Sequence, residues 1–312
     1  FRRSRGLGDV YKRQLLDEEA KARATSVYLP HAVLPMLPSR LSDNLCSLRA
    51  KVPRLAMTVS MEIENDCTIG NVAAFESIIE VQENLSYEDA LDNPKFQNMM
   101  DLAEELRRNE IRLNLNSAEL RPRVHEDEIT VNVKWPNKAT EMIETFMVAT
   151  NNSIGILLGE KNAPLPWRCH APPDAPEVEE LNAKFKNMGI NIELPMPSVK
   201  KFGQSEEAEL ASMLGDWANS GNIEISGLEN SNDQDDIAQY LKNVLDPNAR
   251  KDILISLKEA QQKANDLKSA TRRVVDHGLF YLLQRAIYSP ENLGHFGLNL
   301  NAYVHFTSPI RR

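Results

Sequence analysis

Apolar positions along the chain change period from segment to segment, and the changes mark out elements. In "RLAMTVSMEI" (54–63) apolar and polar residues alternate. "GNVAAFESIIEV" (70–81) follows the turn-forming pair Asn65-Asp66, and together the two runs predict a β-hairpin. "PKFQNMMDLAEELRR" (94–108) repeats at helical spacing, with Phe96, Met100, Ala103 and Leu106 on one stripe. "EITVNVKW" (128–135) reads as a strand. "EMIETFMVATNNSIGILLG" (141–159) is the most apolar helix, with an expected core stripe of Ile143, Met147, Thr150, Ile154 and Leu158 and a stop at Gly159. "EVEELNAKFKNMG" (177–189) turns Val178, Leu181, Phe185 and Met188 to one side, with Gly189 placed as a C-cap.

Towards the N-terminus, "DEEAKARATSVYLP" predicts a short helix passing into an extended segment at 26–29. Ser39 is expected to cap a short helix carrying Leu41, Leu45 and Leu48. Asp246-Pro247 opens a long helical region, because proline fits the first helical position. Ile253, Leu257, Ala260, Ala264, Leu267, Val274 and Tyr281 keep one phase there until Ser289-Pro290. The fold class is mixed α/β (α+β), without internal repeats.

Composition narrows the picture. Of the 312 residues 42% are hydrophobic and 26% charged, which describes a soluble globular chain with a substantial core. No run approaches the roughly 20 apolar residues of a membrane span. Cys46, Cys67 and Cys169 are too scattered for a zinc site or a disulfide framework, so an intracellular, reducing setting is expected. The net charge of −9 argues against a uniformly basic surface, but charge is unevenly spread. Residues 1–14, "FRRSRGLGDVYKRQ", carry +4, leaving −13 for the rest; they have no period and are set apart as a scar or a disordered basic arm. Between Ser205 and Tyr240 stand nine Asp/Glu and no Lys or Arg. That run, including Asp233, Asp235 and Asp236, reads as a solvated loop.

Candidate chemistry gathers at the end. "YVHFTSPIRR" (303–312) places Arg311 and Arg312 after a Ser-Pro, and their planar donor forks suit phosphate oxygens, although a terminal Arg pair is also commonly just solvated. His295 and His305 stand in no metal-ligand spacing and are expected to be structural.

The longer stretch "GHFGLNLNAYVHFTSPIRR" (294–312) resembles the signature of the RNB (ribonuclease II) family of 3′-to-5′ exoribonucleases. "ATSVYLPHAVLPMLPSRLSDNLCSLRA" (24–50) resembles that family's second marked block, and "LSYEDA", "MIETFMVATN" and "WRCHAPPDAP" echo it in the same order. The resemblance covers 16–312 and is weakest over 190–288. It implies a partial RNB catalytic domain over 15–312, truncated at both ends, from an enzyme that hydrolyses single-stranded RNA to nucleoside 5′-monophosphates.

By resemblance, Arg311 approaches the scissile phosphate, Tyr28 packs near the terminal nucleotides, and Tyr87 and Glu144 hold ribose near the 3′ end. Read from the residues alone, Tyr28 could equally be a core aromatic, Tyr87 a turn residue and Glu144 the partner of an arginine. The family often has a second glutamate where this chain has Thr145. The resemblance implies Mg²⁺ held by an aspartate cluster upstream of the "TSVYLP" block; Asp17 corresponds to a position after that cluster, so no ligand is expected in this chain. It also implies single-stranded RNA as partner, admits an exosome-like complex, and offers no membrane role. The isolated chain is expected to be inactive. The alternative is a non-catalytic RNA-binding or assembly protein of the same fold.

Overall fold

A computed structural model describes residues 15–112, 119–125, 128–195, 247–283 and 285–308. The acidic run at 205–240, residues 1–14 and Arg311 lie outside these. Helices and short two-stranded antiparallel sheets alternate, as expected of a mixed chain. The contacts divide it into two compact units.

The first unit holds residues up to Arg107, then 116–154 and the segment from His305. It opens with α1 (Leu15–Arg23), followed by the paired strands β1 (Val27–Tyr28) and β2 (Val33–Leu34). Arg40–Leu45 form a single wide π-type turn instead of the expected α-helix. Ser39 precedes it in helical conformation, so its hydroxyl makes no capping bond. A cap needs an extended backbone to turn its oxygen back towards the next amides.

The long hairpin forms as expected, from β3 (Pro53–Ile63) and β4 (Ile69–Glu80). Its turn is closed by Asp66, whose Oδ1 accepts from the Thr68 amide (3.0 Å) and hydroxyl (2.7 Å). Helix α2 (Tyr87–Leu91) starts from a reciprocal capping box between Ser86 and Asp89. Then α3 (Gln97–Asn109) buries Met100, Ala103 and Leu106, the stripe the spacing predicted. The strand β6 (Glu128–Lys134) pairs with β5 (Glu119–His125), which the sequence reading missed. Pro122 obscures β5, since a strand proline is tolerated only where no ladder donor is needed.

Helix α4 (Lys138–Gly159) corrects the expected stripe. Ile143 and Met147 are exposed, while Met142, Thr145, Val148, Asn151 and Ile154 are buried. The buried face is turned by about one residue because it includes two polar side chains. Thr145 satisfies its hydroxyl on the Glu141 carbonyl (2.8 Å), so it can be buried like a small apolar residue. Met100, Ala103, Ala139 and Met142 form the α3–α4 core.

The second unit comprises 108–115 and 155–304. Its core brings together α5 (Ala175–Asn187), α6 (Pro247–Asn265) and α7 (Ser269–Leu282) around Phe185, Leu254, Leu257, Val275, Leu279 and Phe296. The predicted long helix is two helices, broken at 266–268. The break advances the phase by one residue, so Val275, Leu279 and Leu282 face inwards, whereas Val274 and Tyr281 are exposed. Met188 is likewise exposed, because α5 ends at Asn187 and the chain reverses through Gly189 at φ 69°. Gly278 lets α7 approach α5: a Cβ there would stand 2.8 Å from Leu181 Cδ1. The remaining sheet, β7 (Trp167–Cys169) with β8 (Ile287–Ser289), replaces helix before Ser289-Pro290.

Candidate nucleic-acid site

The first unit carries the three described site residues. Tyr28 lies on β1 with its ring 70% exposed, so the core-aromatic alternative is excluded. Tyr87 opens α2, positioned by the Ser86 cap, and is 42% exposed. The Lys134 ammonium stands 5.4 Å from its ring centroid and 2.9 Å from Glu88. That lysine contact lowers the Glu88 carboxyl below its ordinary value. The end of β6 therefore holds a cation against the ring, leaving a phenol that can stack or donate.

Glu144 projects from α4 and is exposed; Arg107 of α3 stands 3.8 Å from it and 3.8 Å from Glu141. One guanidinium thus lies between the Glu141 and Glu144 carboxylates and orients both.

Seven residues further along α4, buried Asn151 accepts the Thr307 amide at 2.9 Å. This bond fastens Thr307 to the helix that carries Glu144. The core stripe expected from hydrophobic spacing did not include Asn151. Among the described residues no side-chain hydrogen bond, ion pair or ring contact joins Tyr28 to the other candidates.

Upstream of His305 the signature belongs to the second unit, where His170 and His295 knot it. The His170 amide donates to the Gly294 carbonyl (3.1 Å), and the His170 carbonyl accepts from Phe296 (2.8 Å). His170 Nδ1 accepts from the Gly297 amide at 2.9 Å, and His295 Nδ1 accepts from Leu298 at 3.3 Å. The two imidazoles stack with centroids 5.0 Å apart. His295 is thus structural, as expected; His170 was missed, its signal being the "RCH" of 168–170.

Gly294 (φ 73°) closes the knot, and a Cβ there would fall 2.7 Å from Arg250 Nη1. Arg250 is buried and bonded to Asn301. Gly294→Ala should therefore destabilise the fold by about 1–2 kcal/mol, from the left-handed backbone alone, with displacement of Arg250 in addition. Urea unfolding measures this; an unchanged midpoint would contradict the geometry.

The Mg²⁺ that the resemblance implies does not fit the described residues. Among them no three His, Cys, Asp or Glu side chains converge as metal ligands. Nor is any described helix long and apolar enough to cross a membrane.

Comparison with known proteins decides the family. The RNB domain pattern matches residues 9–312. The chain belongs to the RNB family. Ribonuclease R of Mycoplasmopsis pulmonis is 27% identical over 97% of this chain. Ribonuclease R of Thermotoga maritima is 29% identical over 95%. The chain spans 37% of the length of each. Among solved structures, apo RNase R of Mycoplasma genitalium superposes with a TM-score of 0.71 at 21% identity, over 96% of this chain and 42% of its own. The same enzyme in complex with ribose-methylated single-stranded RNA gives 0.70 at 21% identity, over 98% and 42%. Yeast Ssd1, described as a pseudonuclease, gives 0.59 at 17% identity, over 96% and 32%.

Proposed function

We propose that this RNB chain is the strand-holding part of a 3′-to-5′ exoribonuclease acting on single-stranded RNA and releasing nucleoside 5′-monophosphates inside the cell. Alone it binds RNA without shortening it. The observation that carries this reading is the Thr307–Asn151 bond, which ties the segment leading to Arg311 onto the Glu144 helix.

In this reading Arg311 stabilises charge on the scissile phosphate, and Glu144 and Tyr87 hold ribose hydroxyls. Tyr28 offers its exposed ring to the terminal bases. The family's Mg²⁺ would activate water; among the described residues no three ligand side chains converge to hold it. No exosome-like partner is part of the reading.

The RNase R structure with ribose-methylated single-stranded RNA supports a site that meets ribose. The second reading, a non-catalytic RNA-binding protein, draws on the likeness to Ssd1. Both readings require strand binding, so the first test addresses ribose. An all-ribose oligomer should bind more tightly than one ending in 2′-deoxy residues, and Glu144→Gln should remove the difference. Equal affinities for wild type would refute the ribose assignment.

A further inference from the structure

A second place on the chain presents a cation that pairs with no carboxylate among the described residues. In the β7–β8 sheet Arg168 is directly opposite Tyr288, while Trp167 and Cys169 turn inwards. Opposed residues of an antiparallel pair share a face, so Arg168 and Tyr288 stand together on the outer one. The guanidinium carbon lies 4.5 Å from the Tyr288 ring centroid. Stacking occupies the face of a guanidinium and leaves its donor edge available in the plane.

The ionisable groups that act on Arg168 are the Tyr303 phenol and the Cys169 thiol, neither of them a carboxylate. Partial burial pulls its pKa below the ordinary arginine value. The backbone is fixed as well: the Arg168 amide donates to the Tyr303 carbonyl (2.9 Å), which anchors β7 to the signature strand on its other edge. Among the described residues this partly desolvated guanidinium faces no carboxylate, so an external anion can complete it.

We propose that Arg168, with its guanidinium over the Tyr288 ring, is a phosphate contact for the RNA backbone, in addition to Arg311, Tyr28, Tyr87 and Glu144. The proposal rests on the strand-binding reading. Its role is positional: it takes one phosphate of the strand and reads no base.

The test is a salt series of anisotropy titrations with fluorescein-labelled oligouridylate, using the full chain. Replacing one phosphate contact should flatten the plot of log affinity against log salt by about 0.7 for a single strand. Arg168→Gln is expected to show that change. Arg168→Lys, which keeps the charge but not the planar fork, should retain the wild-type slope and lose affinity a few-fold. Tyr288→Leu should do the same, and thermal melts verify that each variant is folded. Wild-type binding with an unaltered slope in Arg168→Gln overturns this inference and leaves the proposed function standing. A wild-type chain that binds no oligouridylate overturns both. If Arg168→Gln does not fold, Arg168→Lys decides: full wild-type affinity in that variant overturns the stacked-fork geometry.

Discussion

Phe185→Ala lowers the stability of the second unit by about 3–5 kcal/mol, the usual loss when a fully buried aromatic side chain is truncated. Phe185 is 1% exposed in the core shared by α5, α6 and α7. Its removal takes packing from all three helices, and Gly278 already lets α7 sit close to α5, so little further collapse can fill the space. Met188, three residues on, lies on the same stripe by sequence spacing but is 59% exposed. Met188→Ala should therefore change stability by no more than about 0.5 kcal/mol. Urea unfolding of the two variants separates the structure from the bare periodicity; equal losses would contradict the described end of α5.

Asn151→Ala has the second large effect, and it reaches the function. The side chain is 2% exposed and its Oδ1 receives the Thr307 amide. Truncation leaves that donor unpaired and costs about 1–3 kcal/mol. It also unties the segment leading to Arg311 from α4. RNA affinity should then drop to the level of Arg311→Ala, and the two substitutions combined should weaken binding no more than either alone, since residues acting as one unit are not additive. Additive losses would show that the Asn151 bond does not position Arg311.

Much of the fold was legible because local pattern and burial agree. The β3–β4 hairpin and the α3 stripe follow directly from alternation and helical spacing. The reading failed where a polar group was buried or a phase was broken. On α4, Thr145 and Asn151 took core positions through hydrogen bonds, which hydrophobic spacing does not register. In the 247–282 region a three-residue break reset the face, so Val274 and Tyr281 were placed inside although both are exposed.

Apart from the Arg311–Arg312 pair, the candidate site was legible only through resemblance. Tyr28 and Tyr87 are exposed rings that composition cannot distinguish from core aromatics, and Arg311 lies outside the described residues. What the structure adds is the Arg107 guanidinium at Glu144, the Lys134 ammonium at Tyr87 and the anchoring of Thr307. Each joins residues distant in sequence; the sequence allowed an arginine beside Glu144 but did not say which one.

The central claim is that this chain holds a single RNA strand by means of Arg311. It is tested most directly with a 5′-labelled single-stranded RNA oligomer, incubated in Mg²⁺ with wild type and with Arg311→Ala. The account predicts salt-sensitive retention of intact RNA by wild type, and clearly weaker retention by Arg311→Ala. Retention that is the same for both proteins, or absent at every salt concentration, would contradict it.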